Sequence, residues 1–562
     1  MAEAESRPDV RVSESDYTFQ ARYVAESAWR LIGMQDANPA SPSYGCFDYK
    51  FWRDKTSEFA DARYQEAAPA LLLLSLPAFE SIREQAGAPG VASLRSAFSS
   101  GLTFWSRSQY ADGSFDEWYK GERGFAATEF TTIAYGLAAY LGDEVITDSD
   151  REALGQVLTR ACDWLLSRHD TVKANHEAAA GAALALGWVV TREERYRTAA
   201  AAKIDHTLGR QTEEGWFPEV GGMDLGYCSV LLDYVMLYTL VTGDERAIPA
   251  MQRLCAYMVP LVHPDGTISP EAGLCMNPYV SRIGFGLLSP KDDRAAQFTG
   301  LFARVSVGRP GLVPTLGDDL RLARWAYLPL LTWMLRERFI WSCDSVAYPE
   351  GWTCYPGSGV CVFHWDNVHA YVSVAGGGVI RIFRGQKLVV EDLGIHVGSG
   401  EDMRVSQGYD PGRDWSLSGD GIEMTLSMNK PVFAYPGFLS RLILRVGATT
   451  ATGSWLLRSL IDRYRLKSGT ALNQSAGALS KGSSGVTSLR RVTIGQTFLK
   501  IRDEIHSSIG PLEGARIQCR FISVGNISRT DSMDAPAERV TIEKTVDLDD
   551  ASTSMTISSG IP

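Results

Sequence analysis

The chain has 562 residues, which is too many for a single hydrophobic core, so two or more domains are expected. Its formal net charge of −11, with acids spread along the chain, argues against a nucleic-acid partner. Its hydrophobic content of 45% is ordinary for a globular protein. We see no run of the roughly 20 apolar residues that would span a bilayer, so no membrane partner is expected.

Two features bear on the cellular compartment. The sequence begins MAEAESRPDVRVSESDY, which has neither the basic nor the apolar region of a secretory signal. We therefore expect a cytoplasmic protein, or a secreted or periplasmic one whose leader has been removed. The nine cysteines are odd in number and none has CxxC spacing, so they are expected to be buried thiols of a reducing compartment. No metal or other cofactor is predicted, and the oligomeric state is left open.

The elements change character along the chain. Up to about residue 340, apolar residues recur at helical spacing in ARYQEAAPALLLLSLPAF, FAATEFTTIAYGLAAYL, DREALGQVLTRACDWLLSR and DLGYCSVLLDYVMLYTLV. After IWSCDSVAYPEG come short β-rich runs: GVCVFHW, HAYVSVAG, GVIRIF, KLVVED, SRLILRV and VTIGQTFLKIRDEI. This order predicts an α+β multidomain protein, with a helical catalytic domain over residues 1–343 and an antiparallel β domain over 344–562.

Three loops in the helical half share one plan of acid, Gly, variable residue, apolar residue and Glu. They are ADGSFDE (111–117), EEGWFPE (213–219) and PDGTISPE (264–271). Their acids Asp112, Glu214 and Asp265 lie 102 and 51 residues apart, which is close to one or two helical hairpins with their connections. This spacing predicts hairpins stacked in an (α/α) ring with equivalent loops at one end. The alternative is that acid-Gly turns are simply common.

Aromatic and acidic residues cluster in and near these loops. Aromatic rings beside hydrogen-bonding groups suit sugars, which have apolar CH faces and hydroxyl edges. The alternative for each aromatic residue is a place in the core. The candidate sugar-binding residues here are Trp105, Glu117, Trp118, Trp216 and Glu219.

The segment TVKANHEAAAGAALALGWVV (171–190) predicts a helix of small residues with a polar start. Asn175 is a good N-cap and Glu177 suits the helix dipole, so both have a structural explanation, and we leave Glu177 structural. Capping does not explain His176, because a charged histidine is unfavourable in a first turn. We therefore interpret Asn175 and His176 as part of a functional site as well.

Several motifs together resemble the heparinase II/III-type polysaccharide lyases and their alginate lyase relatives. The motifs are NHE at 175–177, GGMDLGYCSVLLDY about 50 residues later, and the C-terminal stretch YPGSGVCVFHWDNVHAYVSVAGGGVIRIFRGQKLVVEDLGIHV. YGCFDYKFWRDKTSEFADARYQEAA and DEWYKGERGFAATEFTT are similar to segments of related members. The resemblance covers roughly residues 40 to 530. It implies an incomplete (α/α) toroid followed by an antiparallel β-sandwich.

The resemblance also implies β-elimination at a uronic acid of an anionic poly- or oligosaccharide. A base removes the C5 proton, the C4–O4 bond breaks, and the neighbouring carboxylate must be neutralised. By resemblance, Asn175 would bind that carboxylate, His176 would assist it or take the proton, and Tyr227 would act as base, acid or both. The β domain would add a histidine, for which we favour His364 over His369 and His396. Further candidate substrate contacts are Arg123, Asn277, Tyr279 and Arg282.

Two other reactions remain open at this stage. A uronate C5-epimerase would use the same residues but return a proton without losing the 4-substituent. A glycoside hydrolase on a helical toroid would instead use two carboxylates, such as Glu117 and Glu219, as acid and base.

Overall fold

The computed structural model consists of a helical half followed by a half of antiparallel sheets. It describes residues 15–269, 272–274, 280–306, 318–342, 346, 348–397, 404–419, 421–432, 437–468, 478–479, 485–508, 518–523, 526–529, 539–548 and 553–560.

The helical half contains sixteen α-helices within the described ranges. They are Ser15–Glu26 (α1), Ala28–Met34 (α2), Tyr49–Trp52 (α3), Ala67–Leu74 (α4), Glu80–Ala86 (α5), Val91–Ser108 (α6), Phe125–Leu141 (α7), Asp148–Leu166 (α8), Ala174–Thr191 (α9), Glu194–Leu208 (α10), Leu225–Thr242 (α11), Ile248–Met258 (α12), Ile283–Leu288 (α13), Asp293–Ser306 (α14), Asp319–Trp325 (α15) and Tyr327–Leu335 (α16). Helix α9 is buried all round from Ala174 to Gly187 and packs against α7, α10 and α11. Its alanines and glycines make this possible, because small side chains let three neighbouring helices approach closely.

The second half contains sixteen strands within the described ranges. They are Gly351–Tyr355 (β1), Val360–Trp365 (β2), Val368–Ser373 (β3), Val379–Arg384 (β4), Lys387–Val397 (β5), Arg404–Val405 (β6), Trp415–Ser418 (β7), Gly421–Ser427 (β8), Pro431–Val432 (β9), Ala478–Leu479 (β10), Val486–Ile494 (β11), Phe498–Ser507 (β12), Gln518–Ser523 (β13), Asn526–Arg529 (β14), Arg539–Asp547 (β15) and Thr553–Gly560 (β16). An eight-stranded sheet has the order β1-β2-β3-β4-β5-β13-β14, with β6 paired to β5. A six-stranded sheet has the order β16-β15-β12-β11-β8-β7, and β9 pairs with β10.

The two large sheets share one apolar core. Ile380 and Ile382 of β4 belong to the same buried cluster as Met424 of β8 and Val492 of β11. On its other face, the eight-stranded sheet contributes Val362 and neighbouring residues to the core of the helical half. Because this sheet is covered on both faces, β2 and β3 are apolar and almost continuously buried.

One predicted strand is wrong. The run SRLILRV (440–446) lies within an α-helix, Phe438–Gly447 (α17), which is followed by a second helix, Ala451–Ser468 (α18). In α17, Leu439, Leu442, Ile443 and Val446 recur at a spacing of three to four, which is a helical period rather than the alternation of a strand.

The predicted repeat of loops is present and has one member more than predicted. Two backbone hydrogen bonds of 2.8 to 3.0 Å close each loop. In the first, the N–H of a glycine donates to the carbonyl of the residue that opens the turn. In the second, the N–H of that opening residue donates to the carbonyl of the residue that follows the glycine. The opening residue, glycine and following residue are Asp36, Gly45 and Cys46; Tyr110, Gly113 and Ser114; Thr212, Gly215 and Trp216; and His263, Gly266 and Thr267. The first loop escaped prediction because eight residues separate Asp36 from Gly45.

A glutamine fastens each of the first three loops to a helix. The side-chain amide of Gln109 donates to the carbonyls of Gly113 and of Val157 in α8. Gln211 donates in the same way to Gly215 and to Ala250 in α12, and Gln35 donates to Gly45 and to a carbonyl of α6. The same loop-to-helix unit therefore recurs along the helical half. That these units close into a ring stays a prediction.

Helix α11 is long and apolar enough to cross a membrane, judged by length and composition alone. Two-thirds of the 18-residue window, 67%, is buried inside the fold, where α11 packs against α9 and α13. A core helix has these same properties, so its composition is weak evidence for a membrane span.

Candidate active site

The loops that precede α9 and α11 are joined to each other. Lys173 and Glu219 form an antiparallel bridge, and the N–H of Ala174 donates to the carbonyl of Pro218 at 3.3 Å. Glu219 lies in the EEGWFPE loop, and Lys173 directly precedes α9. The bridge therefore brings one of the repeated loops to the N-terminal end of the helix that carries Asn175 and His176.

Asn175 is the second residue of α9 and not its N-cap, so the predicted capping role is wrong. The cap position is Lys173, which makes no side-chain cap hydrogen bond. The backbone N–H of Asn175 donates to Oε1 of Glu219 at 2.8 Å, so Glu219 occupies the end of the helix in place of a cap. Both polar atoms of the Asn175 side chain are buried and have no hydrogen-bond partner of good geometry within the described residues. A buried amide in this state is suited to a substrate group.

Burial favours the neutral form of the Glu219 carboxyl. It is 2% exposed, and its burial raises the pKa of the carboxyl to about 8. The hydrogen bond from the Asn175 backbone N–H and the charge of Lys173 lower this pKa, but less than burial raises it. A protonated Glu219 beside the Asn175 amide makes a pair of hydrogen-bonding groups without negative charge.

His176 is held by a carboxylate that the sequence analysis did not single out. Its Nδ1 lies 2.8 Å from Oε1 of Glu129 in α7, at ion-pair distance but without the alignment of a hydrogen bond. Glu129 is fully buried, and this burial raises its pKa well above the ordinary value. The His176 ring stands edge-on to Phe130 with 5.5 Å between the ring centroids. A carboxyl group at Nδ1 restricts the orientation of the His176 ring.

The sequence does contain a feature that could have identified Glu129 as a functional candidate, which is a single charged residue within an apolar helix. It stands in FAATEFTTIAYGLAAYL, in which no other residue is charged. A carboxyl that is buried in such a helix requires a polar or charged partner. In the folded chain this partner is His176.

Glu177 has structural partners. Its Oε1 lies 2.6 Å from Nδ1 of His169 and 3.1 Å from the ammonium of Lys203, and its Oε2 accepts from the N–H of Asp170 at 2.9 Å. His169, Glu177 and His206 are the group within the described residues whose atoms could together hold a metal ion. Lys203 already supplies a cation to this group. The expectation of no metal stays a prediction.

Tyr227 is the third residue of α11 and is half-buried. Its N–H donates to Oδ1 of Asp224, which caps the helix, at 3.0 Å. Because α9 and α11 pack together and the bridge at Glu219 joins the loops before them, the first turns of both helices lie at the same end of the helical half. Tyr227 therefore begins α11 at the end where Asn175 and His176 begin α9.

Two arginines that were not predicted lie near this end: Arg63 is buried and Arg324 is partly buried. The guanidinium of Arg63 lies 4.2 Å from the centre of the Phe130 ring and pairs with Glu66. Arg324 lies 3.0 Å from Glu117 and 2.8 Å from Asp61, a carboxyl whose pKa burial raises to about 6. Glu117, which was predicted to contact a sugar, is thus 6% exposed and forms an ion pair with Arg324.

The arginines that were predicted have other contacts. Arg123 lies over the Tyr110 ring at 4.1 Å and pairs with Asp112 at 3.1 Å. Arg282 lies over the ring of Phe302 in α14 at 4.8 Å. Asn277 and Tyr279 lie outside the described residues.

The three tryptophans differ in whether a sugar can reach them. Trp105 is fully buried and stacks between Phe115 and Tyr135, at 5.0 and 3.9 Å between ring centroids, so its predicted sugar contact is wrong and it belongs to the core. Trp216 is 7% exposed, and its indole N–H donates to Glu214 at 2.8 Å. Trp118 is 60% exposed and is available to a ligand.

His364 lies in a buried aromatic cluster between the eight-stranded sheet and the helices. Its Nδ1 lies 3.0 Å from Nδ1 of His369, its Nε2 lies 3.3 Å from the carbonyl of Pro260, and its ring stacks on Tyr348. Burial lowers its pKa to about 3. Both ring nitrogens are engaged with protein groups, so the predicted catalytic role of His364 lacks structural support and we assign it a packing role.

Comparisons with known proteins identify the fold. No protein-family model and no curated protein matches the sequence. Among solved structures, the chain is similar to the xanthan lyase of Paenibacillus, with a TM-score of 0.54 and 10% identity over 97% of this chain and 51% of that one. It is also similar to the chondroitin AC lyase of Streptomyces coelicolor A3 in complex with chondroitin sulphate, with a TM-score of 0.55 and 12% identity over 99% of this chain and 77% of that one.

The chain therefore has the fold of these polysaccharide lyases. It spans about half the length of the xanthan lyase. The resemblance predicted from the sequence is confirmed at this coarse level, whereas neither neighbour is described as a heparinase II/III-type enzyme. At 10 and 12% identity the likeness extends to the fold alone.

Proposed function

We propose that this protein is a polysaccharide lyase that cleaves a uronic-acid-containing glycan by β-elimination and leaves a 4,5-unsaturated uronate end. The observation that carries the proposal is the group formed by the buried Asn175 amide, the protonated Glu219 and the His176–Glu129 pair. Its setting, a fold shared with polysaccharide lyases, supports the same reaction. In the full proposal, residues 1–343 form an incomplete (α/α) toroid and residues 344–562 a β-sandwich.

The reaction requires that the negative charge of the substrate carboxylate be neutralised, because this charge repels the carbanion that forms at C5. A proton α to an ionised carboxylate is very weakly acidic, so hydrogen-bond donors must bind the carboxylate where negative charge develops. The Asn175 amide and the Glu219 carboxylic acid are such donors. They stand at the N-terminal end of α9, where the helix dipole also favours an anion.

His176 is the base in this proposal and Tyr227 is the acid. The His176 imidazole takes the C5 proton, and the Glu129 carboxyl beside Nδ1 orients the ring. The electron pair of the C5–H bond becomes the C4–C5 double bond as the C4–O4 bond breaks. The departing O4 takes a proton from the Tyr227 hydroxyl.

An anionic substrate agrees with the solved neighbour that binds chondroitin sulphate. Exposed Trp118 offers a ring face for a neighbouring sugar.

The test is a panel of uronate polysaccharides, which are hyaluronan, chondroitin and dermatan sulphates, heparan sulphate, alginate and a bacterial glucuronan. The readout is the ultraviolet absorbance of a new C4–C5 double bond. We expect one polymer class to give this signal, and Asn175→Ala and Tyr227→Phe to abolish it. Tyr140→Phe, which changes an exposed tyrosine of α7, is the matched control and should retain full activity.

Two outcomes would replace the proposal. New reducing ends without absorbance would indicate hydrolysis, for which the raised pKa of Glu219 qualifies it as an acid and Glu117 would be the second carboxylate. Deuterium uptake at C5 without chain cleavage would indicate a C5-epimerase that uses the same residues.

A further inference from the structure

Two cysteines lie directly opposite each other at the edge of the eight-stranded sheet. Cys354 of β1 pairs in register with Cys361 of β2. Directly opposed residues of antiparallel strands point to the same face, with Cβ atoms about 4.5–5.5 Å apart. A disulfide needs a Cβ separation of about 3.5–4.5 Å, so a small shift of the outermost strand is enough to join these two sulphurs.

The surroundings distinguish Cys354 from the other described cysteines. Cys46, Cys162, Cys228 and Cys255 are buried, and burial raises the pKa of each thiol. Cys361 is also buried, and its hydrogen bond with Cys354 together with its burial raises the pKa of its thiol. Cys354 is half-buried on an edge strand, and its contact with the Cys361 thiol lowers its pKa. A thiol that is accessible and ionises readily is the one that attacks an external disulfide.

We propose that Cys354 and Cys361 are a reversible dithiol–disulfide pair that reacts with small disulfides such as oxidised glutathione. The thiolate of Cys354 attacks one sulphur of oxidised glutathione, forms a mixed disulfide and releases one reduced glutathione. Cys361 then loses its proton and attacks the Cys354 sulphur, which releases the second reduced glutathione. The two protein thiols are oxidised and one oxidised glutathione is reduced to two thiols.

The cross-link closes next to a turn that contacts the candidate active site. The turn between β1 and β2 donates two backbone N–H groups to Glu214, from Gly357 at 2.6 Å and from Ser358 at 3.1 Å. Glu214 also accepts from Trp216 and belongs to the EEGWFPE loop that carries Glu219. A disulfide at the base of this turn therefore restrains a loop of the site.

The sequence allows a direct assay of the bond. Cleavage after Glu350 and after Arg381 releases the peptide 351–381, which contains Cys354 and Cys361 and no other cysteine. The reduced protein is incubated with oxidised glutathione, alkylated under denaturing conditions and digested with the two proteases. We expect this peptide to escape alkylation and to lose the mass of two hydrogens, while seven of the nine cysteines are alkylated.

Three single variants assign the roles. Cys361→Ser should retain one glutathione on Cys354, because the resolving thiol is absent. Cys354→Ser should leave Cys361 unmodified, because Cys361 is buried. Cys255→Ser, which alters a buried cysteine of α12, should behave as the wild type.

The proposal is overturned if all nine cysteines of the wild type are alkylated after oxidation, if the wild type retains glutathione on Cys354, or if the disulfide involves another cysteine. Circular dichroism establishes that each variant is folded. As a second readout, hydrogen exchange of the peptide that spans the turn should slow on oxidation in the wild type and not in Cys361→Ser.

Discussion

Glu129 is the residue whose replacement most directly tests the proposed base. Glu129→Gln keeps the shape of the side chain but replaces the carboxyl beside Nδ1 of His176 with an amide, which cannot accept a proton from the ring. We expect kcat to fall by about 10²-fold or more, with little change in KM, because the effect acts on proton transfer rather than on substrate binding. Steady-state kinetics on the polymer identified by the panel measures this, with Glu144→Gln at the surface of the same half as the control. An unchanged kcat would remove Glu129 from the mechanism.

Glu219 gives the reaction a pH limit on the alkaline side. Its folded pKa of about 8 lies above the ordinary value, so the donor form is present at neutral pH and is lost as pH rises through about 8. We expect kcat/KM to fall above that pH in the wild type. In Glu219→Gln, whose amide cannot ionise, this fall should disappear. A pH–rate profile of both proteins decides, and an identical alkaline limb in the two would assign the ionisation to another group.

The same group predicts a pH-dependent stability. Because the pKa of Glu219 is raised in the fold, the wild type loses stability relative to Glu219→Gln as pH rises from about 4.5 through about 8. Comparison of melting temperatures of the two proteins across this range would show the difference grow. This readout does not depend on substrate.

At the residue level, the prediction for the beginning of α9 was wrong about the helix cap. Asn175 was expected to cap α9, but it is the second residue of the helix, and the carboxyl of Glu219 fills the position in front of it. A capping role does not explain His176 at the beginning of this helix. Its partner Glu129 lies 47 positions earlier in the sequence, in another helix. Such a pairing is decided by which helices pack together, and spacing along the chain does not indicate it.

Among the elements, the repeated loops depend on glycine at one position. Gly215 has a φ of +100°, and a Cβ there would lie 2.7 Å from the carbonyl oxygen of Arg253 in α12. Gly215→Ala should therefore lower the free energy of unfolding by more than about 1 kcal/mol. Gly209→Ala is the matched control, since that residue has a helical φ of −63° and its nearest neighbour to a Cβ lies at 3.6 Å. Denaturant unfolding of the two variants should separate them, and equal stabilities would contradict the packing described for this loop.

The elements also show where periodicity is sufficient and where it fails. The acid-Gly plan revealed three of the four loops, because in them the turn is compact, whereas the insertion between Asp36 and Gly45 conceals the fourth. The SRLILRV run was assigned to a strand from its β-branched and apolar composition. Its apolar spacing fits a helix, and α17 is one. In this run the spacing of the apolar residues indicates the secondary structure better than the amino-acid composition does.

For the whole molecule, one buried charge network connects the two large sheets. Asp392 of β5 accepts from Arg490 of β11 at 3.0 Å and from Lys544 of β15 at 2.6 Å, and Arg490 also binds Asp503 of β12. These four side chains are nearly or completely inaccessible to solvent. Arg490 and Lys544 lower the pKa of Asp392 to about 2, against the effect of burial, which raises it.

Asp392→Asn should destabilise the protein by roughly 3–5 kcal/mol, because it leaves two buried cations with too little negative charge. The depressed pKa of Asp392 has a second consequence, since its stabilisation is present above the unfolded pKa of about 3.8 and is lost as pH falls towards about 2. Thermal unfolding at pH 7 measures the first effect, with Asp414→Asn on an exposed loop as the control. A loss below about 1 kcal/mol would mean that the network does not hold the sheets together.

The chain by itself determined its division and its class of architecture. Apolar residues at helical spacing up to about residue 340 predict helices, and the short β-branched runs after it predict strands, because each pattern buries its apolar face in one type of element. The described elements follow this order except for α17 and α18. The order of NHE, the Tyr227 segment and the C-terminal stretch from YPGSG to GIHV indicated a likeness to polysaccharide lyases, and the solved neighbours support it at the level of the fold.

Only the tertiary structure decided which side chains meet. In the folded chain Trp105 lies in the core, and both ring nitrogens of His364 contact protein groups. Glu129, Arg63 and Arg324 lie near the beginning of α9. The physical reason is that burial and partnership come from contacts between residues far apart in sequence, whereas the sequence reports directly only on neighbours within a turn or a strand. The raised pKa of Glu219 is of the same kind, since it results from the desolvation that the packed loops impose.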